Sequence, residues 1–256
     1  MTATLWRRLV AEFIGTALLV AVVVGSGIAA SRLSPSDVGL QLLENSTVTA
    51  FGLTVLILAF GPVSGAHFNP VVTAADWLLS RRSPGGVAGR DVLAYTAAQI
   101  CGAIAGAILA DVMFDVRAVR WSTHNRSNGH LLVGEIVATA GLVYLIFSLP
   151  RAGKADLSAP AVGAYIGAAY WFTSSTGFAN PAVTVGRAFT DTFAGIEPSS
   201  VPGFIAAQFV GGLVGLGLLV ALHPHPGRAA ADAVMPHHVL DAESPAPQIP
   251  AHFSTP

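Results

Sequence analysis

The chain has 256 residues, of which 53% are hydrophobic and 11% charged, with a net charge of −1 and a mean hydropathy of +0.63. Soluble domains carry roughly 25% charged residues, so this composition excludes one and indicates a membrane protein whose first partner is the lipid bilayer. The near-zero charge excludes nucleic acid as a partner, and the single cysteine, Cys101, excludes an intrachain disulfide and is read as a packing residue.

A membrane span needs about 20 mostly apolar residues, and six stretches qualify, at about 7–30, 43–62, 90–114, 129–149, 158–177 and 202–222. The first follows Arg7 and Arg8 but runs too long for a cleavable signal segment. Beyond 222 the composition changes to Pro, Ala and His, so that 1–222 forms one domain and 223–256 is expected to be a disordered tail. The tail's histidines match no fixed ligand spacing, so neither a metal nor a cofactor is expected.

The two halves of the domain echo one another. Glu12 and Glu135 stand near the starts of spans one and four. Two short copies follow, Asn69-Pro70-Val71-Val72-Thr73 and Asn180-Pro181-Ala182-Val183-Thr184. Gln99 then precedes Gly102 and Gly106 in span three, and Gln208 precedes Gly211 and Gly215 in span six. This order divides the domain into repeats at about 7–114 and 129–222. With three spans per repeat, the second enters the membrane from the opposite side, the inverted-repeat arrangement. Placing the N-terminus in the cytoplasm puts eight basic residues inside (Arg7, Arg8, Arg81, Arg82, Arg90, Arg151, Lys154, Arg228) against five outside (Arg32, Arg117, Arg120, Arg126, Arg187).

Asparagine before proline is a helix-start signal, because Asn caps the first backbone N–H groups and Pro has none to leave unsatisfied. Each motif therefore opens a half-helix, to about Leu79 in the first repeat and about Phe193 in the second, too short to span. Their N-termini are expected to meet near the midplane, where their dipoles repel cations and the carboxamides of Asn69 and Asn180 donate to a neutral polar solute. The non-helical backbone before each motif is tolerable at that depth only in protein or beside a wet cavity. Glu12 and Glu135 are expected to brace those loops by accepting their N–H groups, with Gln99 and Gln208 assisting; a proton relay is the other reading of buried carboxylates.

Ala11-Glu12-Phe13-Ile14-Gly15-Thr16, Ser64-Gly65-Ala66-His67-Phe68-Asn69-Pro70 and Phe178-Ala179-Asn180-Pro181-Ala182 resemble, in order, the motifs of the major intrinsic protein family, the aquaporins and aquaglyceroporins. The resemblance implies an all-α membrane fold of six transmembrane helices plus two re-entrant half-helices, a homotetramer with one pore per protomer, and passive conduction of water or small neutral solutes by a non-enzyme. Two departures stand out. Val71 replaces the usual alanine of the first motif, and Val183 occupies the place of the family's filter arginine. Carried over by counting, the filter is Phe51, Ala168, Gly177 and Val183, wide and apolar, so the pore is expected to pass more than water.

The stretch Trp171-Phe172-Thr173, then Val183, Arg187 and Asp191-Thr192-Phe193, resembles the bacterial branch associated with arsenic-resistance operons, which implies trivalent arsenous acid as solute and the bacterial inner membrane as location. Arg187, one turn after Val183, either takes over part of the missing filter charge or is a surface arginine beside Asp191. A water-selective channel and an ion-coupled transporter are the rival readings; the transporter lacks a coupling-ion site besides Glu12 and Glu135.

Overall fold

The computed structural model describes residues 3–81 and 86–223, so all but the first residue of the expected tail lies outside the described residues. Among the described residues there are eight α-helices: α1 (Leu5–Leu33), α2 (Val38–Ser64), α3 (Pro70–Ser80), α4 (Gly89–Met113), α5 (Gly129–Arg151), α6 (Ser158–Phe172), α7 (Pro181–Arg187) and α8 (Val201–Leu222). Five of them, α1, α2, α4, α5 and α8, are long and apolar enough to cross a membrane. The sixth, α6, has 15 residues.

The apolar run at 158–177 therefore does not continue as helix to its end. The chain leaves the helix at Thr173, whose backbone is extended, and becomes the loop that leads down to α7. Apolar composition marks burial, and a buried loop between packed helices is as apolar as a span. The second half-helix is likewise shorter than the sequence suggests. It ends at Arg187, where Ala188 and Phe189 bond back to Val185 and Gly186 in tight i→i−3 turns, and Ile196 N–H returns to the Arg187 carbonyl.

The halves pack alike. α1 lies along α4 and α5 along α8, while α2 meets α6 where the repeats join. Gly102 and Gly106 of α4 sit against the backbone carbonyls of Phe13 and Ala17 of α1. Gly211 and Gly215 of α8 face those of Ile136 and Ala140 of α5, where a Cβ would come to 2.5 Å. Without side chains at these four places the backbones approach closely, the small-xxx-small geometry of membrane helices. Cys101, on the same helix as the first pair, is exposed and not packed into the core.

Following the chain through the bundle puts the start of α1, the end of α8, the end of α3 and the start of α4 on one face, here the terminal face. The α4–α5 connection and the segment after α7 lie on the other, the far face. Each half-helix contacts the long helix of the opposite repeat, α7 against α4 and α3 against α8. This crossing brings their N-termini together in the middle of the bundle.

Candidate functional site

The two asparagines form the junction between the repeats. The Asn69 side-chain oxygen accepts from Val71 N at 3.0 Å, and that of Asn180 from Ala182 N at 3.0 Å and Val183 N at 3.2 Å. Each oxygen thus caps its own half-helix. Each amide nitrogen reaches across instead: Asn69 Nδ2 donates to the Ala179 carbonyl and Asn180 Nδ2 to the Phe68 carbonyl, both at 2.7 Å. One amide hydrogen per asparagine is spent on this reciprocal clasp, which leaves one for a solute.

The residue before each asparagine lies in the left-handed region, Phe68 at φ 49° and Ala179 at φ 48°. Such backbone costs of order 1–3 kcal/mol and persists only where surroundings over-determine it. Here the surroundings are two buried carboxylates. Glu12 accepts from His67 N at 3.0 Å and Phe68 N at 2.7 Å, and Glu135 from Phe178 N and Ala179 N, both at 2.9 Å.

The amides of Gln99 and Gln208 complete the networks. Each donates one hydrogen to the glutamate, at 2.7 Å and 2.6 Å, and one to the threonine of the nearby motif, Thr73 or Thr184, at 2.9 Å. The threonine hydroxyls bond back to the carbonyls of Asn69 and Asn180. Glutamate, glutamine, threonine and asparagine form one chain of hydrogen bonds in each repeat. Thr73 and Thr184 were visible as the fifth residue of each motif copy, one turn past the cap, but carried no assignment.

Beside the clasp lies a cavity of about 60 Å³ lined by Asn69 and Asn180. At about 10–15 Å³ per water on this measure, it has room for about four. Its walls come from helices at four-residue spacing: Leu19 and Val23 from α1, Thr49, Leu53 and Ile57 from α2, Leu142 and Ile146 from α5, and Val162, Ile166 and Tyr170 from α6. Toward the far face it is bounded by Gly177, Phe178, Val183 and Arg187, and toward the terminal face by Ala66, His67 and Val72. Of the first motif, Asn69 lines the cavity while Pro70 and Val71 are buried behind it, as Pro181 and Ala182 are in the second. Across the far end the Thr49 and Tyr170 hydroxyls meet at 3.2 Å.

Gly177 and Val183 thus stand at the cavity. Phe51 and Ala168 do not: Phe51 is 69% exposed, and Ala168 is exposed as well. Both err by two residues, about 200° around a helix, which exchanges the inner face for the outer. The lining positions are Thr49 on α2 and Tyr170 on α6. A signal for the first was present: Gln41, Asn45 and Thr49 are buried polar residues at four-residue spacing on α2, and polar residues in a span face inward.

Arg187 is not a surface residue. It is 3% exposed, its Nε donates to the Ala194 carbonyl, and its guanidinium carbon lies 3.4 Å from the centroid of the Phe178 ring. Asp191, its expected partner, is engaged elsewhere, accepting Thr123 N at 2.9 Å and Thr123 Oγ1 at 3.0 Å and pairing with Arg120 at 3.2 Å. The Thr123 backbone N–H, helped by its hydroxyl and Arg120, holds the Asp191 carboxyl below its ordinary range. Among the described residues no group of His, Cys, Asp and Glu is arranged to hold a metal ion.

Residues 1–179 match the family described as Major intrinsic protein. The chain is 46% identical over 215 residues to the aquaglyceroporin AqpS of Rhizobium meliloti (strain 1021), covering 84% of this chain and 89% of the relative. It is 30% identical over 276 aligned positions to the glycerol uptake facilitator protein of Pseudomonas aeruginosa, covering 91% and 95%. Among solved structures, the X-ray structure of the aquaglyceroporin from Plasmodium falciparum shares the fold, with a TM-score of 0.59 at 19% identity over 86% of this chain and 95% of that one. A match over 179 residues and a relative of nearly half-identical sequence agree with two capped half-helices clasped at the centre of the bundle, and the chain belongs to the major intrinsic protein family.

Proposed function

We propose that the protein is a passive channel for small uncharged solutes: water, glycerol-like polyols and trivalent arsenous acid. The observation that carries this reading is the far end of the cavity at Val183. There, where the family resemblance places a filter arginine, the wall includes Val183, Gly177 and the Thr49–Tyr170 hydroxyl pair, and position 183 itself carries no charge. Replacing a guanidinium by an isopropyl group removes a bulky donor and admits a solute wider than water. The names of the relatives, an aquaglyceroporin and a glycerol uptake facilitator, support a polyol-sized pore.

Arsenous acid meets the same criteria. It is uncharged at neutral pH, close to glycerol in size, and carries three hydroxyls. The free amide hydrogens of Asn69 and Asn180 donate to it, the loop carbonyls accept from it, and the aliphatic stripes of α1, α2, α5 and α6 bind no part of it strongly, as conduction requires. The protein is further proposed to sit in the bacterial inner membrane as a homotetramer, termini in the cytoplasm, consistent with the excess of basic residues on that face.

The test is uptake into proteoliposomes. Glycerol and arsenous acid fluxes are expected to rise linearly with concentration and to stop when the gradient is spent. Saturable uptake against a gradient would replace the channel with a coupled transporter.

A further inference from the structure

Without an arginine at 183, this pore lacks the positive charge that its family resemblance leads one to expect at that height, and the sequence suggests exclusion of cations by helix dipoles alone. The structure contains a candidate that the usual position does not predict. Building on the channel reading above, we propose that this pore selects size and charge with two different residues: size with Val183, and charge with Arg187, rooted one turn on in α7, about 6 Å along its axis at 1.5 Å per residue, and stacked on Phe178, with Arg126 as its positioning residue.

Four observations converge on Arg187. It lines the same cavity as Val183 and Gly177. It is buried, so its charge acts through low-dielectric surroundings that leave it poorly screened. Its side chain's only hydrogen bond among the described residues runs from Nε to the Ala194 carbonyl, which leaves the two terminal nitrogens of the guanidinium for the cavity. And no ion pair neutralises it, although the Glu135 carboxylate acts on it at a distance. Among the described residues no carboxylate forms an ion pair with it; Asp191 is turned to Arg120 and Thr123, and both oxygens of Glu135 are occupied by Phe178, Ala179 and Gln208.

Arg126, from the α4–α5 connection, places a second guanidinium 5.1 Å from the centroid of the Phe178 ring. Its Nε donates to the Gly195 carbonyl at 3.1 Å and its backbone N–H to Ser200 Oγ at 2.9 Å. The two arginines therefore share one aromatic ring and two adjacent carbonyls, those of Ala194 and Gly195. Arg126 fixes the segment that supplies the Arg187 acceptor, and its own charge adds to the positive potential that a cation must cross. A neutral solute feels neither term strongly.

The experiment reads proton flux, from a pH-sensitive dye trapped in proteoliposomes, as a ratio to glycerol permeability in the same vesicles. Wild-type vesicles are expected to leak protons no faster than protein-free ones. Arg187→Gln is expected to raise the ratio by at least about tenfold, with loss of a buried positive charge from the permeation path. Arg126→Gln should raise it less, and Arg187→Lys, which keeps the charge without the planar stack, should fall between wild type and Arg187→Gln. Arg117→Gln, at an exposed arginine on the same connection, should leave the ratio at the wild-type value.

If Arg187→Gln vesicles conduct glycerol through the protein with proton flux at the wild-type level, the barrier is not Arg187 and the proposal fails. If Arg187→Gln raises the ratio but Arg126→Gln does not, the positioning role fails. Should Arg187→Gln not assemble, Phe178→Leu removes the ring under the guanidinium and gives the same test, an unchanged ratio again overturning it. A wild type that passes no glycerol while Arg187→Gln opens a proton leak would instead overturn the solute assignment and leave the charge barrier standing.

Discussion

At the scale of single residues, the midplane depends on which atom of each side chain donates. Asn180 caps α7 with its oxygen and clasps the opposite loop with its nitrogen, so the amide cannot be exchanged for a carboxylate without pointing oxygen at oxygen. The braces have the opposite requirement. Glu135 is purely an acceptor for two backbone N–H groups and one amide. Glu135→Gln is therefore expected to destabilise the fold by about 1–3 kcal/mol, because one buried donor loses its acceptor; thermal unfolding of the detergent-solubilised protein checks this, and an unchanged midpoint would sink it. Much of this layer was legible in the sequence because the elements came in duplicate: two glutamates, two capping asparagines and two glutamines in one order. What duplication does not convey is rotation. Counting alone does not separate Phe51 from Thr49; the buried polar stripe of Gln41, Asn45 and Thr49 does.

At the scale of elements, the glycine pairs decide how closely the long helices approach. Gly106 meets the backbone of α1 and Gly215 that of α5, and backbone cannot move aside as a flexible side chain does. Gly106→Ala and Gly215→Ala are each expected to lower stability by about 1–3 kcal/mol through overpacking, and by similar amounts, since the two helix pairs are related by the repeat. A large effect at one and none at the other, measured by denaturation midpoints, would contradict the equivalence of the repeats. Helix starts were legible from the Asn-Pro pairs, whose chemistry is local. Helix ends were not. α6 stops at Phe172 and α7 at Arg187 because the chain must reach and leave the midplane in a fixed distance, which is a tertiary constraint with no local residue signal.

At the scale of the whole molecule, two inverted repeats build a cavity whose middle is symmetric and whose far end is not. Asn69 and Asn180, Glu12 and Glu135, Gln99 and Gln208, and Val72 and Val183 repeat from half to half; Phe178 and Arg187 stand where the first half has His67 and Asp76, and Arg126 comes from the connection between the halves. Symmetry supplies the scaffold, and departures from it supply charge selectivity. The sequence exposed Val183, a departure from the family pattern and not from the repeat, because that pattern stood beside it. The burial of Arg187 was hidden, since only the folded path of residues 188–196 turns that side chain inward over Phe178.

The claim that Val183 widens the pore is tested most directly by stopped-flow light scattering on proteoliposomes, comparing water, glycerol and arsenous acid for the wild type and Val183→Arg. The expected result is that the wild type passes all three and Val183→Arg retains mainly water, because the guanidinium refills the space beside Gly177, Thr49 and Tyr170. If both proteins pass only water, residue 183 does not set the size limit and the widened-filter account is wrong.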